Sequence, residues 1–281
     1  MKRTAIVNWL EFIPTYCLFS LFRFLGMKRG GDLGSWMARK VGPYLKNNQF
    51  AQKNLADIYS TVSEEKRAEI LRDMWDNLGR LPAESMTLDQ FSLNDHIHVI
   101  GAEHIQGKGP YVFIGAHLAN FAMMTRAIHL LGKDIVQLYR RLNNPLVNDL
   151  LLNAQQRGGV SAIYKGGEGA KAAMTLLKNG KSIIFLCDQK LGEGVEIPFM
   201  GRPAKTPTGP VRIACKLKIP LIPVHVVRHG SAPQFTVVFH PPLETDDRSA
   251  TQIMTGVNTL FEQWITENPA QWLWVHRRWK Q

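Results

Sequence analysis

From Tyr111 to Phe239 short apolar runs alternate with stretches of helical periodicity, which restricts the chain to an α/β fold on a mostly parallel sheet flanked by helices. The pattern predicts strands at 111–116, 135–139, 160–164, 182–187, 221–227 and 235–239. Helices are predicted at 120–131, 145–156, 169–177 and 210–217, with a last one over 249–267, and the stretch from 187 through 201 reads as a loop. Three helices precede the alternation, at 32–45, 50–59 and 63–81, the third capped by Ser63 with Glu65, Lys66, Arg67 and Glu69 on its wet face. In such a sheet, ligands bind beyond the carboxyl ends of the strands.

The N-terminal stretch 9–27 is apolar and aromatic, interrupted by Glu11, Pro14 and Arg23. Its longest charge-free run, 12–22, is about half of the roughly 20 residues a spanning helix needs. An interfacial helix is expected instead, with Lys2, Arg3, Arg23, Lys28 and Arg29 available to anionic headgroups. No small-residue cleavage site follows, which argues against a signal peptide. The expected organisation is a helical membrane anchor over 1–30 and a single catalytic domain over 31–281.

A formal net charge of +11 and a pI near 9.7 imply acidic partners: nucleic acid, anionic lipid or an acidic carrier protein. Zinc spacings, recognition-helix signatures and aromatic RNA-binding motifs are absent from the sequence, which sets nucleic acid aside. Cys17, Cys187 and Cys215 show no pairing or metal spacing and read as reduced core thiols. His96, His98, His104, His129, His225, His229 and His240 have no ligand spacing either, so no metal is expected. The run 166–169, Gly-Gly-Glu-Gly, lacks the Lys-Ser/Thr end of a phosphate loop and reads as a helix-start turn.

His117 lies in the sequence Gly-Ala-His-Leu-Ala-Asn-Phe-Ala, 115–122, at a strand-to-helix turn where an active-site base is commonly placed. A histidine that takes a proton from an alcohol must be held in one tautomer, and its imidazolium stabilised, by a carboxylate on its other ring nitrogen. Asn120 reads as the N-cap of the next helix, so position 122 is a first-turn site where the helix dipole favours an acid. The residue there is Ala122. Three further segments end strands or follow them: 139–145 with Arg140, Arg141, Asn143 and Asn144; the pair Asp188 and Gln189; and 195–206 with Arg202 and Lys205. A guanidinium in such a place pairs with phosphate or with a developing oxyanion.

In this order, these segments resemble the late acyltransferases of lipid A biosynthesis, the lauroyl and myristoyl transferase family. The likeness runs over about 54–280 and includes Pro-Phe-x-Gly at 198–201 and the ending Pro-x-Gln-Trp-x-Trp-x-His-Arg-Arg at 269–278. The resemblance implies an acyltransferase α/β sandwich on the cytoplasmic face of a Gram-negative inner membrane. It would move a fatty acyl chain from acyl carrier protein to a hydroxyl of a lipid A precursor, with no cofactor. Carried over by position, His117 is the general base and Arg140 a catalytic-site or phosphate-binding arginine. Asn143, Asn144, Asp188 and Gln189 shape the site, and Asn120, Arg202 and Lys205 complete the substrate contacts. The family carries Asp or Glu where this chain has Ala122. Either that acid has been replaced, leaving a chain that binds without turnover, or the chain uses another acid or none. The intact remainder of the motifs favours replacement, so an inactive chain is expected. An acyl-CoA-dependent enzyme acting on another membrane glycolipid, such as a mannosylated phosphoinositide, and an inactive lipid-binding scaffold are the alternatives.

Overall fold

The computed structural model describes residues 4–164 and 167–279, apart from the side chains of Gly167 and Glu168; Lys2, Arg3, Gly166 and Lys280, noted above, lie outside the described residues. Helix α1 (Ala5–Val41) is broken at Gly26, whose φ of +77° is open to a residue without a Cβ. Beyond the break the chain folds back on itself, so that a Cβ on Gly30 would stand 2.9 Å from the Phe22 carbonyl oxygen. The second half packs on α3 (Glu64–Met86), after α2 (Lys46–Ile58). Arg23 fixes the first half through a bidentate pair with Asp89 at 2.8 and 2.9 Å and a bond to the Met86 carbonyl at 2.7 Å. The helix expected from residue 32 is therefore a continuation of α1, and the boundary drawn at residue 30 falls inside it. Ile6, Leu10, Ile13, Tyr16, Leu21 and Phe24 are exposed along α1, as is Cys17, which is not a core thiol.

Ser63 caps α3 by accepting from the Lys66 N–H at 3.3 Å, with Glu64 and Glu65 in the first turn complementing the dipole. The helix runs through Pro82 to Met86, past its expected end. The α/β series follows as β1 (Ile97–Ile100), β2 (Val112–Gly115), α4 (Ala122–Leu130), β3 (Ile135–Tyr139), α5 (Pro145–Arg157), β4 (Ser161–Tyr164), α6 (Gly167–Lys178) and β5 (Ser182–Leu186). A hairpin of β6 (Val195–Phe199) and β7 (Arg202–Thr206) leads to α7 (Gly209–Leu217), β8 (Leu221–Arg228), β9 (Phe235–Phe239) and α8 (Ala250–Glu267).

The main sheet has seven strands in the order β1-β9-β8-β2-β5-β3-β4, parallel except where β8 meets β9. Strands β2 and β5 are buried along their whole length, as central parallel strands covered on both faces must be. Alternation sends Val112, Ile114, Ile183 and Phe185 to one core with Phe261 and Trp264 of α8. Phe113, Ile184 and Leu186 go to the other, with Met123, Met124 and Ile128 of α4. Two features differ from the sequence reading: β1 was not anticipated, and the stretch read as a loop through 201 forms β6. That hairpin pairs Pro198 with Pro203, and proline masks a strand pattern because it removes a ladder donor.

Candidate active site

Because β2 and β5 are parallel neighbours with Gly115 paired to Leu186, their chains leave the sheet side by side. The Cys187 N–H still donates to the Gly115 carbonyl at 3.0 Å, and His117 and Asp188 each lie two residues past the paired positions. Glycine is required at 115, where a Cβ would press to 2.8 Å from the Val224 carbonyl oxygen of the adjoining β8. The imidazole Nδ1 of His117 meets Asp188 Oδ1 at 2.7 Å. The second carboxylate oxygen accepts from Trp272 Nε1 at 2.8 Å.

Asp188 is 1% exposed and His117 14%. Burial works to raise the Asp188 pKa, but the charge of His117, hydrogen bonds from His117 and Trp272, and the His117 main-chain N–H together outweigh it and hold the carboxyl at about 2. An ionised carboxylate only accepts, so the contact assigns the proton to Nδ1 and leaves Nε2 with the lone pair. Such an imidazole is arranged to take a proton from a hydroxyl.

Position 122 contributes nothing polar to this arrangement. Ala122 is buried in the first turn of α4, and its N–H is capped by Asn120 Oδ1 at 3.1 Å. The carboxylate that faces His117 comes from the segment directly after β5.

The loop between His117 and α4 holds Ala119 at φ +44°, a left-handed conformation costing an L-residue roughly 1–2 kcal/mol. It is held in place by a hydrogen bond from the Ala119 N–H to the Gln271 carbonyl at 2.8 Å and by a β-bridge between Leu118 and Trp272. Asn120 Nδ2 donates to Glu84 Oε2 at 2.9 Å, and Glu84 in turn forms a bidentate pair with Arg228 at 2.6 and 2.7 Å. Arg228 Nε donates to Asn77 Oδ1 at 2.9 Å, while the Gln271 side chain accepts from the Arg228 N–H and donates to its carbonyl. Glu84 and Arg228 were not singled out in the sequence, whereas Gln271 belongs to the ending motif at 269–278. The available signal was a polar stripe on α3, where buried Asn77, Arg80 and Glu84 recur at three- and four-residue spacing on one face.

The remaining candidates distribute differently. Arg140 and Asn143 are exposed in the loop after β3, and Gln189 is half-buried after Asp188; none makes a side-chain hydrogen bond or ion pair among the described residues. Asn144 is buried and caps α5, accepting from the Leu146 and Val147 N–H groups, while its Nδ2 donates to the Asn8 carbonyl at 2.9 Å and to Glu11 at 3.2 Å. Arg202 pairs with Asp57 at 2.6 Å and stacks over Trp279, and Lys205 donates to the Gly192 carbonyl at 3.1 Å. Arg202 thus ties the hairpin to α2 and to the C-terminal segment, and Lys205 ties it to the loop that follows Asp188.

Comparison with protein-family models matches residues 2–281 to the bacterial lipid A biosynthesis acyltransferases. The lipid A biosynthesis palmitoleoyltransferase of Escherichia coli K12 is 24% identical over 260 residues, covering 88% of this chain and 84% of that protein. The lauroyltransferase of the same strain is 24% identical over 263 residues with the same coverage. A phosphatidylinositol mannoside acyltransferase of Mycobacterium tuberculosis H37Rv is 28% identical over 104 residues, 37% of this chain and 32% of that protein. Among solved structures, the 1-acyl-sn-glycerophosphate acyltransferase PlsC of Thermotoga maritima aligns with a TM-score of 0.42 and 14% identity, covering 91% of this chain and 97% of that one. With a family match over essentially its whole length, this chain is an acyltransferase and belongs to the bacterial lipid A biosynthesis acyltransferase family.

Proposed function

We propose that the protein transfers a fatty acyl group from the thioester of acyl carrier protein to a hydroxyl of a lipid A precursor, at the cytoplasmic face of the inner membrane. His117 Nε2 takes the hydroxyl proton as the oxygen attacks the thioester carbon. The carbon–sulfur bond then breaks, and the leaving thiolate takes the proton back from the imidazolium, giving an ester and a free thiol. Asp188 holds Nδ1 and stabilises the imidazolium, so the chain is active without an acid at position 122. The single observation that carries this reading is the 2.7 Å contact between His117 Nδ1 and the buried Asp188 carboxylate.

Arg140, exposed beyond the neighbouring β3, binds a phosphate of the acceptor or steadies the oxyanion, and Asn143 and Gln189 line the same edge. The exposed apolar face of α1 seats the enzyme on the bilayer: among the described residues, only the helical stretch Ala5–Tyr44 is long and apolar enough to cross one, and almost none of its most apolar window is buried. A basic surface suits both an acidic carrier and lipid phosphate. A mannosylated phosphoinositide is the second acceptor to test, favoured by the partial match to a phosphatidylinositol mannoside acyltransferase.

The test compares the chain as it stands with Ala122→Glu and Asp188→Asn on both acceptors in vesicles. Turnover by the unmodified chain that is lost in Asp188→Asn supports the reading. No turnover until Ala122→Glu restores it would return the acid to position 122, and acceptor binding without turnover by any variant would leave a scaffold.

A further inference from the structure

The last segment of the chain returns to the sheet edge and touches both halves of the dyad. Residues 271 and 272 register the loop that carries His117, through the Gln271 carbonyl on the Ala119 N–H and the bridge from Trp272 to Leu118. The Trp272 indole then reaches Asp188 Oδ2 at 2.8 Å. Two adjacent residues thus fix the base and its carboxylate relative to each other.

Trp272 is itself held firmly. It is 1% exposed, packs edge-on against Trp274 with ring centroids 4.7 Å apart, and lies 5.7 Å from the Phe199 ring. The segment around it is pinned by Asn54 Nδ2, which donates to the Trp274 and His276 carbonyls at 2.9 and 3.0 Å. Arg278 adds bonds to the Lys205 carbonyl at 2.6 Å and Thr206 Oγ1 at 2.7 Å.

We infer that Trp272 is a positioning residue for acyl transfer: its indole N–H occupies one oxygen of Asp188 and so dictates the rotamer in which the other oxygen meets His117 Nδ1. This deepens the proposed dyad and rests on it. A carboxyl group rotates in a broad, roughly two-fold well and offers about four lone-pair sites, so one hydrogen bond to a histidine does not fix it. Indole suits the task because it donates only and cannot take the His117 proton, whereas a hydroxyl in its place would compete as an acceptor. The ring is also too tightly packed to follow the carboxylate if that rotates. Trp272 touches no reacting atom; it acts through Asp188.

The experiment replaces Trp272 in the full chain with 3-benzothienylalanine, which keeps the bicyclic shape and puts sulfur where the N–H was, and separately with Phe. Turnover is measured with acyl-loaded carrier protein and a lipid A precursor in vesicles, and the His117 Nδ1–H resonance is followed in protein labelled with 15N-histidine. The benzothienyl variant should stay folded with its Tm lowered by roughly 5 °C, lose about 10-fold to 100-fold in kcat per folded molecule with KM nearly unchanged, and show the Nδ1–H signal broadened or shifted upfield. An unchanged resonance, or wild-type kcat in that variant, overturns the inference. A fall in Tm with kcat per folded molecule intact also overturns it, by assigning Trp272 a merely structural part. His117→Ala and Asp188→Asn run alongside: wild-type turnover in both would sink the dyad itself, while the resonance still reports whether Trp272 sets the Asp188–His117 bond.

Discussion

Asp188→Asn changes one oxygen to an amide nitrogen and should stop the reaction through the tautomer of His117. Both carboxylate oxygens are acceptors here, one for His117 Nδ1 at 2.7 Å and one for Trp272 Nε1 at 2.8 Å. An asparagine has a single acceptor oxygen and an NH2 that only donates. If its oxygen faces the indole, the NH2 faces Nδ1, and the ring must carry its proton on Nε2, where it can no longer act as a base. If its oxygen faces His117, two donors are driven together against the buried Trp272. Loss of the right tautomer costs about 10⁴ in kcat in serine-protease triads, which is about 5 kcal/mol of transition-state stabilisation. A stability cost accompanies it. The Asp188 carboxyl is lowered from its ordinary 3.8 to about 2, which is worth about 2 kcal/mol to the fold. Because the folded pKa lies below the unfolded one, that contribution is present above about pH 4 and is lost as pH falls through 2. The variant should therefore melt roughly 5 °C lower at neutral pH, remain folded at 25 °C, bind the acceptor nearly as before, and turn over about 10⁴-fold more slowly. Single-turnover acyl transfer with acceptor binding measured separately decides the matter. More than a tenth of the parent rate in a folded Asp188→Asn protein would refute the argument.

Arg140→Ala should lower kcat or acceptor affinity by about tenfold or more, and Arg141→Ala by much less, because the Arg141 guanidinium already stacks over the Tyr164 ring at 5.2 Å while Arg140 has no ion pair or hydrogen bond among the described residues. Equal, small losses in purified variants would remove Arg140 from the site. Replacing Leu10 and Ile13 of α1, which are 67% and 54% exposed, with Asp should cut vesicle partitioning by about tenfold or more and leave Tm nearly unchanged; a flotation assay showing undiminished binding would move the membrane contact elsewhere. In the core, burial and the neighbouring His240 push the His225 pKa down to about 3, while the ring stacks on Trp264 at 4.4 Å and its Nδ1 lies 3.0 Å from His240 Nε2. The folded state resists protonation there, so stability should be complete above about pH 6.5 and fall by about 2 kcal/mol on acidification to about pH 5. Denaturant titrations of His225→Phe should show a shallower loss, and an equally steep one would discount the pair.

What could be read from the sequence divides by range. Ser63 announces its helix because a cap is decided within four residues, and that cap forms, whereas Asn120, read as the cap of α4, lies one residue before the N-cap Phe121 and accepts from the Ala122 N–H instead. The central strands were legible because burial on both faces leaves an unbroken apolar run, as in Ser182–Leu186. Strand β1, Ile-His-Val-Ile, is short and only partly buried, and β6–β7 holds two prolines, so neither shows a clean pattern. The partners of the His117 loop could not be read locally. Glu84 lies 36 residues before Asn120, and Arg228 is 144 residues from Glu84. Removing one member of such a buried pair typically costs about 3–5 kcal/mol, yet nothing near either residue in the chain advertises the other.

The acid is the instructive case. Local reasoning looks for it in the first turn of the helix after His117, because that is where sequence spacing and the helix dipole bring a carboxylate near the ring. Sheet register offers a second route that spacing cannot see. Parallel strands β2 and β5 are locked by the pairing of Gly115 with Leu186, so two side chains 71 residues apart emerge together at the same edge. A carboxylate placed this way rests on central, fully buried strands rather than on a helix end, and Trp272 from the far end of the chain closes around it. It is thus held on a stiffer support than a first-turn side chain would have. With that carboxylate ionised and already bonded to Nδ1, an alanine at 122 leaves the imidazole oriented, and the methyl group is simply packed among the α4 core residues. The chemistry required of an acid is contact with one nitrogen and retention of its charge, and Asp188 meets both conditions from a position that only the folded sheet defines.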